Sequence, residues 1–470
     1  MTVQLHDTLS GEVRPLVPLR DDVLGIYSCG PTVYGPAHIG NFRSFLFADL
    51  LVRHLRWRGY PVRWVMNITD IDDKIIRGAA AEGVGIDVLA ERYLERFLAD
   101  ATALRMTRPD VLPRATAHID EIVALIAALL ERGIAYRTDD GSIFFRIASW
   151  PAYGKLARLD PEQLRVGERV EADEYGKDDV RDFALWKGVK PGEPSWSTEI
   201  GEGRPGWHIE CSAMSMAHLG QSFDIHTGGI DLIFPHHEDE IAQSEAATGQ
   251  PFVGSWLHCA HLRSSGVKMA KSTGNIARVA DLLADGTSAR AIRYALIAVH
   301  YRASLNQSDE SLAAAAAAVE RLDALVAALD GYAQVGPDDE ALPGVLARAV
   351  EAFGAALDDD LNISEALAAL FELVRNVNRR IEARSMSSAD AARVLACLRD
   401  VDTVLGVLPD AADDIEPEAQ VLLDDRVAAR AARDWAGSDR LRDELAELGI
   451  IVEDSRDGQR WRRTAEVRRG

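Results

Sequence analysis

Cysteine is scarce in this chain, which has four among 470 residues: Cys29, Cys211, Cys259 and Cys397. Their scattered spacing, and the lack of a basic and apolar leader at the start, argue against a disulfide-stabilised secreted domain. Long uncharged apolar runs are lacking too, since even the alanine run at 313–318 is flanked by acidic residues. We therefore expect a soluble, cytoplasmic protein with no membrane span.

Positive charge is also in short supply. The chain has 52 lysines and arginines against 74 acidic residues, a formal net charge of −22. Such a balance opposes long-range attraction of nucleic acid, but a local basic face can coexist with it. One candidate face surrounds Trp461 near the end of the chain and contains Arg456, Arg460, Arg462, Arg463, Arg468 and Arg469. A solvated tail is the alternative, which we favour for 468–470.

Four residues of metal-binding type stand far apart in the sequence. His236 and Glu240 are four residues apart, so on a helix they face the same side. A zinc-protease helix is excluded, because its second histidine is replaced by Ile241. Together with Cys29 and Cys211, the pair offers thiolate, imidazole and carboxylate groups, all of which Zn²⁺ accepts. From the residues alone, a four-ligand site and four unrelated side chains both stay open.

A turn at residues 31–41 has the composition of a phosphate-binding loop. The apolar run at 23–28 predicts a buried parallel strand, and apolar residues recur at helical spacing from Ile39 onward. A strand–loop–helix turn directs backbone N–H groups at its ligand. Gly40 permits close approach of a base or ribose, and His38 can donate a hydrogen bond to a phosphate. Ordinary turn residues are the alternative.

A second loop, at 268–272, carries Lys268 and Lys271 among small residues. Two lysines in such a loop suit a mobile clamp on a triphosphate, because their charge offsets that of departing pyrophosphate. A solvated basic loop is the alternative.

The motifs at 29–34, 38–41, 67–74, 206–212, 223–226, 235–240 and 268–272 occur in a distinctive order. Their order and residues closely resemble those of cysteinyl-tRNA synthetases, a family of class I aminoacyl-tRNA synthetases, from about residue 5 to about residue 463. The resemblance implies ATP-dependent activation of L-cysteine to cysteinyl-adenylate, then transfer of the cysteinyl group to tRNA(Cys). No obligate protein partner is evident from the sequence.

The resemblance also implies roles for particular residues. One zinc ion per chain is held by Cys29, Cys211, His236 and Glu240 and selects the substrate thiolate. ATP, with Mg²⁺, is bound by Pro31, Thr32, His38, Gly40, Asn41, Lys268 and Lys271, of which His38, Asn41 and the two lysines are the catalytic set. Cysteine is bound by Thr69, Trp207 and Asp231. The tRNA anticodon is contacted by Arg430, Asp439 and Asp454, with Trp435 either stacking on a base or packed in a core.

Two positions depart from the family pattern. Asn41 replaces the second histidine of the usual His-Ile-Gly-His motif, and an asparagine amide can donate to a phosphate but carries no positive charge. Ala270 replaces the serine of the usual lysine loop, although both lysines remain. We expect neither change to abolish the use of ATP.

Periodicity along the chain predicts three regions. Alternating strands and helices indicate a Rossmann-like α/β catalytic domain with a parallel sheet at 1–305, carrying an insertion at about 110–205. Core strands are predicted at 62–67 and 222–227, and a helix at 115–131. A helical bundle follows at 306–410, where Asn362 and Glu365 are a candidate N-cap pair. The C-terminal anticodon-binding module spans 411–470, with helices at 421–434 and 438–448 and a strand at 450–453.

Two other functions fit parts of the sequence. A ligase that joins cysteine to an amino-sugar would share the adenylate chemistry but lack the C-terminal module. A zinc-dependent RNA-binding protein without catalysis would account for Asn41 and Ala270. A tRNA charging assay tests the first alternative, and ATP–pyrophosphate exchange with cysteine tests the second.

Overall fold

The computed structural model describes residues 2–158, 181–264, 267–268, 277–410, 417–448, 450–455 and 458–463. The predicted ATP-site residue Lys271 and the departure at Ala270 lie outside the described residues, as do Arg456, Arg468 and Arg469. In these ranges, no helix combines the length and apolar character needed to cross a membrane.

Strands and helices alternate as far as residue 307, after which helices dominate. Up to residue 158 the elements are β1 (Gln4–Asp7), β2 (Glu12–Pro15), β3 (Leu24–Ser28), α1 (Ile39–Trp57), β4 (Val62–Met66), α2 (Asp73–Glu82), α3 (Ile86–Ala103), α4 (Ile119–Glu131), β5 (Ala135–Arg137) and β6 (Ile143–Phe145). The next are β7 (Phe183–Gly188), β8 (Trp196–Thr198), β9 (Gly201–Pro205), α5 (Trp207–Leu219), β10 (Phe223–Gly229), α6 (Glu238–Thr248), β11 (Val253–Cys259), β12 (Leu262–Ser264), β13 (Val267–Lys268), α7 (Val279–Ala284), α8 (Ala289–Ile297) and β14 (Leu305–Gln307). The last are α9 (Asp309–Asp330), α10 (Leu342–Asp358), α11 (Ile363–Glu382), α12 (Ser388–Leu405), α13 (Pro417–Ala431), α14 (Trp435–Glu447), β15 (Ile450–Ser455) and β16 (Gly458–Arg463).

The central sheet is parallel, with the strand order β11-β10-β3-β4. Every residue of β3 is buried, as expected where helices cover both faces of a parallel sheet. Alternate side chains enter opposite cores: Ile26 packs in the cluster that contains α1, and Tyr27 packs in the cluster that contains Met214 of α5. The predicted α/β class and the core strands at 23–28, 62–67 and 222–227 are confirmed.

A second sheet, antiparallel and with the order β5-β6-β7-β9-β8, packs with α4 around its own apolar core. Asp73, at the start of α2, connects it to the central part of the molecule. Its carboxylate accepts hydrogen bonds from Lys187 on β7, at 2.8 Å, and from Arg204 on β9. The single helix predicted at 115–131 is wrong in detail, because His118 leaves the helical conformation (φ −124°, ψ 28°) between a short 3₁₀ turn and α4.

Helices α9 to α12 follow the parallel sheet and are joined to it by buried polar contacts. Arg293 of α8 forms an ion pair with Asp49 of α1, at 2.7 Å, and donates to the carbonyl of Leu405 at the end of α12. The predicted cap of α11 is present, since the Asn362 side chain accepts from the Glu365 N–H at 3.3 Å. The domain divisions at about 305 and 410 stay predictions.

The C-terminal module consists of α13, α14 and the antiparallel hairpin β15–β16. Its apolar core is small and contains Ala419, Leu423, Leu445, Ile450 and Val452, with Trp461 partly buried against it. The sequence predicted β15 but not β16. The composition of 458–463 concealed that strand, because three arginines and a single apolar residue, Trp461, show no apolar alternation.

Candidate active site and metal centre

The predicted site residues converge at the carboxyl ends of the parallel strands. Cys29 follows β3, Thr69 follows β4, and Asp231 follows β10. Cys211 is on α5, which begins beside the same edge. In open α/β sheets this edge is where ligands bind, because loops of separate strands meet there.

Four donor atoms form a compact cluster at this edge. The ligand atoms of Cys29, Cys211, His236 and Glu240 all lie within 4.8 Å of one another. His236 lies in a π-helical turn, Ile233–His237, and not in the regular helix that the spacing predicted. The turn nevertheless keeps the two side chains together, with His236 Nε2 3.1 Å from Glu240 Oε1. The structure thus brings together all four residues of the predicted zinc set.

The charges of this cluster favour a bound cation. The hydrogen bond from Cys29 lowers the pKa of Cys211 to about 6. Burial acts to raise the pKa of Glu240, but His226 and His236 hold it at about 2. Burial likewise acts to lower the pKa of His236, but Glu240 and Cys211 raise it to about 10. A proton on His236 meets the demand for positive charge, and a divalent metal ion bound to these sulfur, nitrogen and oxygen donors meets it as well.

Two further histidines form a second donor set with members of the first. The ligand atoms of Cys29, His226, His237 and Glu240 also lie within 4.8 Å of one another. His226 Nε2 is 2.9 Å from Glu240 Oε2, and His237 Nε2 is 3.3 Å from Cys29 Sγ. The sequence analysis assigned these histidines no role. The sequence signal for His226 was weak, since β10 also contains the polar residues Asp224 and Thr227.

Two acidic neighbours of the cluster do a different job. Glu238 accepts hydrogen bonds from the backbone N–H groups of Gly154, Leu156 and Ala157, at 2.8 to 2.9 Å. Asp239 accepts from the hydroxyl of Tyr153, at 2.5 Å. These two carboxylates therefore fasten α6 to the segment after β6, and only Glu240 of the three adjacent acidic residues joins the cluster.

Of the three predicted cysteine-binding residues, Trp207 contacts the cluster, whereas Thr69 and Asp231 lie after β4 and β10 at the same edge of the sheet. Trp207 is 37 % exposed and stacks on His236 with 4.3 Å between ring centroids. Thr69 is buried, and its hydroxyl accepts from the Asn67 amide at 3.2 Å. Asp231 lies half-exposed, 3.8 Å from His261 Nδ1. The roles of these three residues in binding cysteine stay predictions.

The predicted phosphate loop ends in a reciprocal cap on α1. His38 is the N-cap, and its Nδ1 accepts from the Asn41 N–H at 3.2 Å, while Asn41 Oδ1 accepts from the His38 N–H at 3.1 Å. A side chain at Gly40 would place its Cβ 2.9 Å from His38 Nδ1, so glycine leaves room for this cap. Pro31 and Thr32 are held to the next loop by bonds between Thr69 N–H and the Pro31 carbonyl and across the Thr32–Thr69 bridge. Lys268 lies on β13.

The predicted anticodon contacts lie on one charged surface of the C-terminal module. Asp454 accepts two bonds of 3.0 Å from buried Arg426, and it also pairs with Arg430 at 2.9 Å. Trp435 is 57 % exposed, which rules out a core position, and the Arg430 guanidinium lies 5.6 Å from its ring centroid. Asp439 is 3.4 Å from Arg442.

Comparison with family models places this architecture in a known class. The model described as "tRNA synthetases class I (C) catalytic domain" matches residues 15–317. A DALR domain model matches 352–409, and the model "Cysteinyl-tRNA ligase anticodon binding domain" matches 412–462. The Mycobacterium tuberculosis methionyl-tRNA synthetase bound to methionyl-adenylate has the same fold, with a TM-score of 0.58 at 18 % identity over 82 % of this chain and 90 % of that one. The fold and site are those of a class I aminoacyl-tRNA synthetase.

Individual relatives narrow the class to one family. The chain is 48 % identical to "Cysteine--tRNA ligase" of Alkalilimnicola ehrlichii, over 98 % of this chain and 100 % of that protein. It is 45 % identical to the protein of the same name from Chlamydia muridarum, over 98 % and 99 % of the two chains. The chain belongs to the cysteine–tRNA ligase family. It activates cysteine with ATP and charges tRNA, so the resemblance found in the sequence is confirmed and both alternative functions are set aside.

Proposed function

We propose that Cys29, Cys211, His236 and Glu240 hold one zinc ion, which selects the substrate by binding its thiolate. The observation that carries this proposal is the convergence of four buried donor atoms within 4.8 Å, from segments about 200 residues apart. Two sulfurs, one imidazole and one carboxylate are a donor set typical of Zn²⁺. The amino acid that the family activates is itself a thiol.

The zinc ion accounts for discrimination against serine. Serine differs from cysteine in one atom, and a purely apolar pocket rejects such an analogue poorly. Bound Zn²⁺ supplies a Lewis acid that prefers thiolate, whereas a serine hydroxyl stays protonated. Around it, Trp207 holds the His236 ring by stacking, and Asp231 offers a carboxylate to the substrate ammonium group.

The cap on α1 prepares His38 for ATP. Because His38 Nδ1 accepts from the Asn41 N–H, the proton of a neutral ring is on Nε2, which can donate to a phosphate oxygen. The Asn41 carbonyl oxygen is used in the cap, so its amide N–H₂ group is the part that can reach a phosphate. Pro31, Thr32 and Gly40 border the same loop, and Lys268 and Lys271 act on the triphosphate with Mg²⁺.

The tRNA substrate is tRNA(Cys), read by the C-terminal module. Arg430, Trp435, Asp439 and Asp454 lie together on its surface, and an exposed aromatic beside arginines is suited to stacking on an unpaired base. We place the reaction in the cytoplasm, because charged tRNA is consumed by translation.

Metal analysis combined with one pair of cysteine variants tests the zinc assignment. The purified chain should contain about one zinc ion, as a four-ligand site predicts. Cys211→Ser should lower the zinc content and reduce cysteine-dependent ATP–pyrophosphate exchange by at least ~10²-fold, because a lost ligand costs more than a lost outer partner. ATP binding should change little.

The matched control is Cys397→Ser, which removes a half-buried thiol on α12 far from the cluster. This variant should keep both zinc and exchange activity. A wild-type chain that is active without zinc would refute the assignment.

A further inference from the structure

A chain of hydrogen bonds runs from the N-terminal hairpin to the metal-type cluster. Thr8 Oγ1 is 2.8 Å from His258 Nδ1, and His258 Nε2 is 2.8 Å from His237 Nδ1. His237 Nε2 then lies 3.3 Å from the sulfur of Cys29. Both imidazole rings are buried, so each relies on these partners.

The first residue of this chain is held in place by backbone bonds. The Thr8 N–H donates to the carbonyl of Trp256 on β11 at 2.8 Å, and the Trp256 N–H donates to Asp7 Oδ1 at 3.0 Å. The end of β1 is therefore fastened two residues before His258 on β11. This attachment gives the Thr8 hydroxyl a fixed position next to Nδ1 of His258.

The donor-to-acceptor direction of this series of hydrogen bonds follows from the protonation state of its last member, Cys29. A metal-bound cysteine is a thiolate, which only accepts hydrogen bonds. His237 must then donate from Nε2 and accept at Nδ1, His258 must donate from Nε2 and accept at Nδ1, and Thr8 must donate its hydroxyl proton. The opposite direction requires Cys29 to donate, which a thiolate cannot do.

We infer that Thr8, His258 and His237 are positioning residues for the metal centre, which act in series to fix an N–H donor on the Cys29 thiolate. This inference rests on the proposed zinc site and extends it by three residues. Donation to a ligand atom orients it and tunes its bond to the metal, and outer partners of this kind typically contribute 10–100-fold in affinity, on the order of one to three kcal/mol.

The inference also separates the two overlapping donor sets. When Nε2 of His237 carries the proton, it has no lone pair for a metal ion. The set containing His226 and His237 is therefore an outer shell, and the set containing Cys211 and His236 holds the ion. A role for Thr8 in metal binding is far from obvious in the sequence, because 203 positions separate it from Cys211.

Two variants at Thr8 test the inference in the full-length protein. Thr8→Val keeps the shape but removes the hydroxyl, and Thr8→Ser keeps the hydroxyl. Release of zinc into excess EDTA, followed with a zinc-sensitive dye, should be about 10-fold faster in Thr8→Val and unchanged in Thr8→Ser. His258→Leu, which ends the chain one step nearer to Cys29, should release zinc at least as fast as Thr8→Val.

A spectroscopic readout distinguishes this role from general destabilisation. In the Co²⁺-substituted protein, the sulfur-to-metal charge-transfer band should move to lower energy in Thr8→Val. The reason is that the His237 N–H is no longer held as a hydrogen-bond donor to the Cys29 thiolate. The control Thr248→Val deletes a hydroxyl that donates to the Ser244 carbonyl at 2.8 Å and is not part of this series of hydrogen bonds. This variant should match wild type. If wild type binds zinc but Thr8→Val and Thr8→Ser behave alike in both measurements, the inference is wrong. Absence of zinc from wild type would refute the proposed zinc site instead.

Discussion

Two clusters of charge, one at the edge of the central sheet and one in the C-terminal module, differ in their access to water. In the metal-type cluster Cys211 is 1 % exposed and Glu240 is fully buried. In the C-terminal module the side chains of Arg430 and Asp454 are 35 % and 26 % exposed. Both clusters lie at predicted functional sites, and both bring side chains from separate elements together.

Burial decides what each cluster can do. Charges in a poorly solvated site interact strongly, so the proposed zinc ion would be held by the buried cluster in a defined geometry. Half-exposed ion pairs contribute at most about 1 kcal/mol each, because water and salt screen them. The Asp454 carboxylate forms ion pairs with three arginines, Arg426, Arg430 and Arg442. Under the proposed roles, the half-exposed arginines of the module exchange partners with RNA at little cost, whereas the buried cluster keeps its ion.

The largest effect is expected at the one fully buried member of the module's network. Arg426→Ala removes the charged bonds to Asp454 and a bond to Gln459, and should cost the module about 2–4 kcal/mol. With so small an apolar core, that loss should expose α13 and α14 to hydrogen exchange. Charging of tRNA should fall while pyrophosphate exchange stays normal.

Arg442→Ala is the matched control, since Arg442 is 45 % exposed and lies 3.4 Å from Asp454. It should leave the module folded. If Arg426→Ala also abolished pyrophosphate exchange, adenylate formation would depend on the C-terminal module, and the two functions would not be separable.

The next effect is expected at the catalytic end. Lys271→Ala removes a positive charge that we propose stabilises the transition state. The substitution should slow adenylate formation by ~10²-fold, the usual cost of losing one such donor. Affinity for cysteine and for tRNA should change little. Pre-steady-state adenylate formation measures the rate, and Lys190→Ala is the control. An unchanged rate would make Lys271 a solvated surface lysine.

A smaller effect is expected on the surface of the module. Trp435→Ala removes an exposed ring beside Arg430, and should weaken tRNA binding by roughly 1–3 kcal/mol, the range for one stacked base. Filter binding at fixed salt measures the affinity. Val427→Ala, another exposed apolar side chain of the module, should have no such effect. Equal tRNA affinity in the two variants would show that Trp435 does not contact RNA.

The smallest effect concerns the acid side of the stability curve. Burial acts to raise the pKa of Asp73, but Lys187 and Arg204 lower it to about 2 from an ordinary 3.8. Its contribution to stability is therefore present above pH 3.8 and is lost as the pH falls toward about 2. Because Asp73 is partly exposed, screening limits it to about 1 kcal/mol or less.

Thermal unfolding of wild type and Asp73→Asn across this range measures that contribution. The difference in melting temperature should be largest near neutral pH and should vanish toward pH about 2. A difference independent of pH would assign the effect to packing instead.

Local sequence patterns predicted the elements that depend on neighbouring residues. The strands β3, β4 and β10 and the start of α1 at His38 can be predicted because burial and helix capping act over a few positions. The hairpin strand β16 was missed for the opposite reason. Its arginines carry no apolar alternation, and it is a strand because it pairs with β15.

The sequence by itself determined the class of fold, the family, and the chemical types of residue that the site contains, because motif order and residue type are properties of the chain. Only the tertiary structure decided how the residues at 236–240 divide their work. His236 and Glu240 enter the cluster, Glu238 and Asp239 fasten the segment at 153–157, and His237 turns to Cys29. Adjacent positions in a chain point in different directions, and which partner each one meets depends on segments that are distant in sequence and are brought near only by packing.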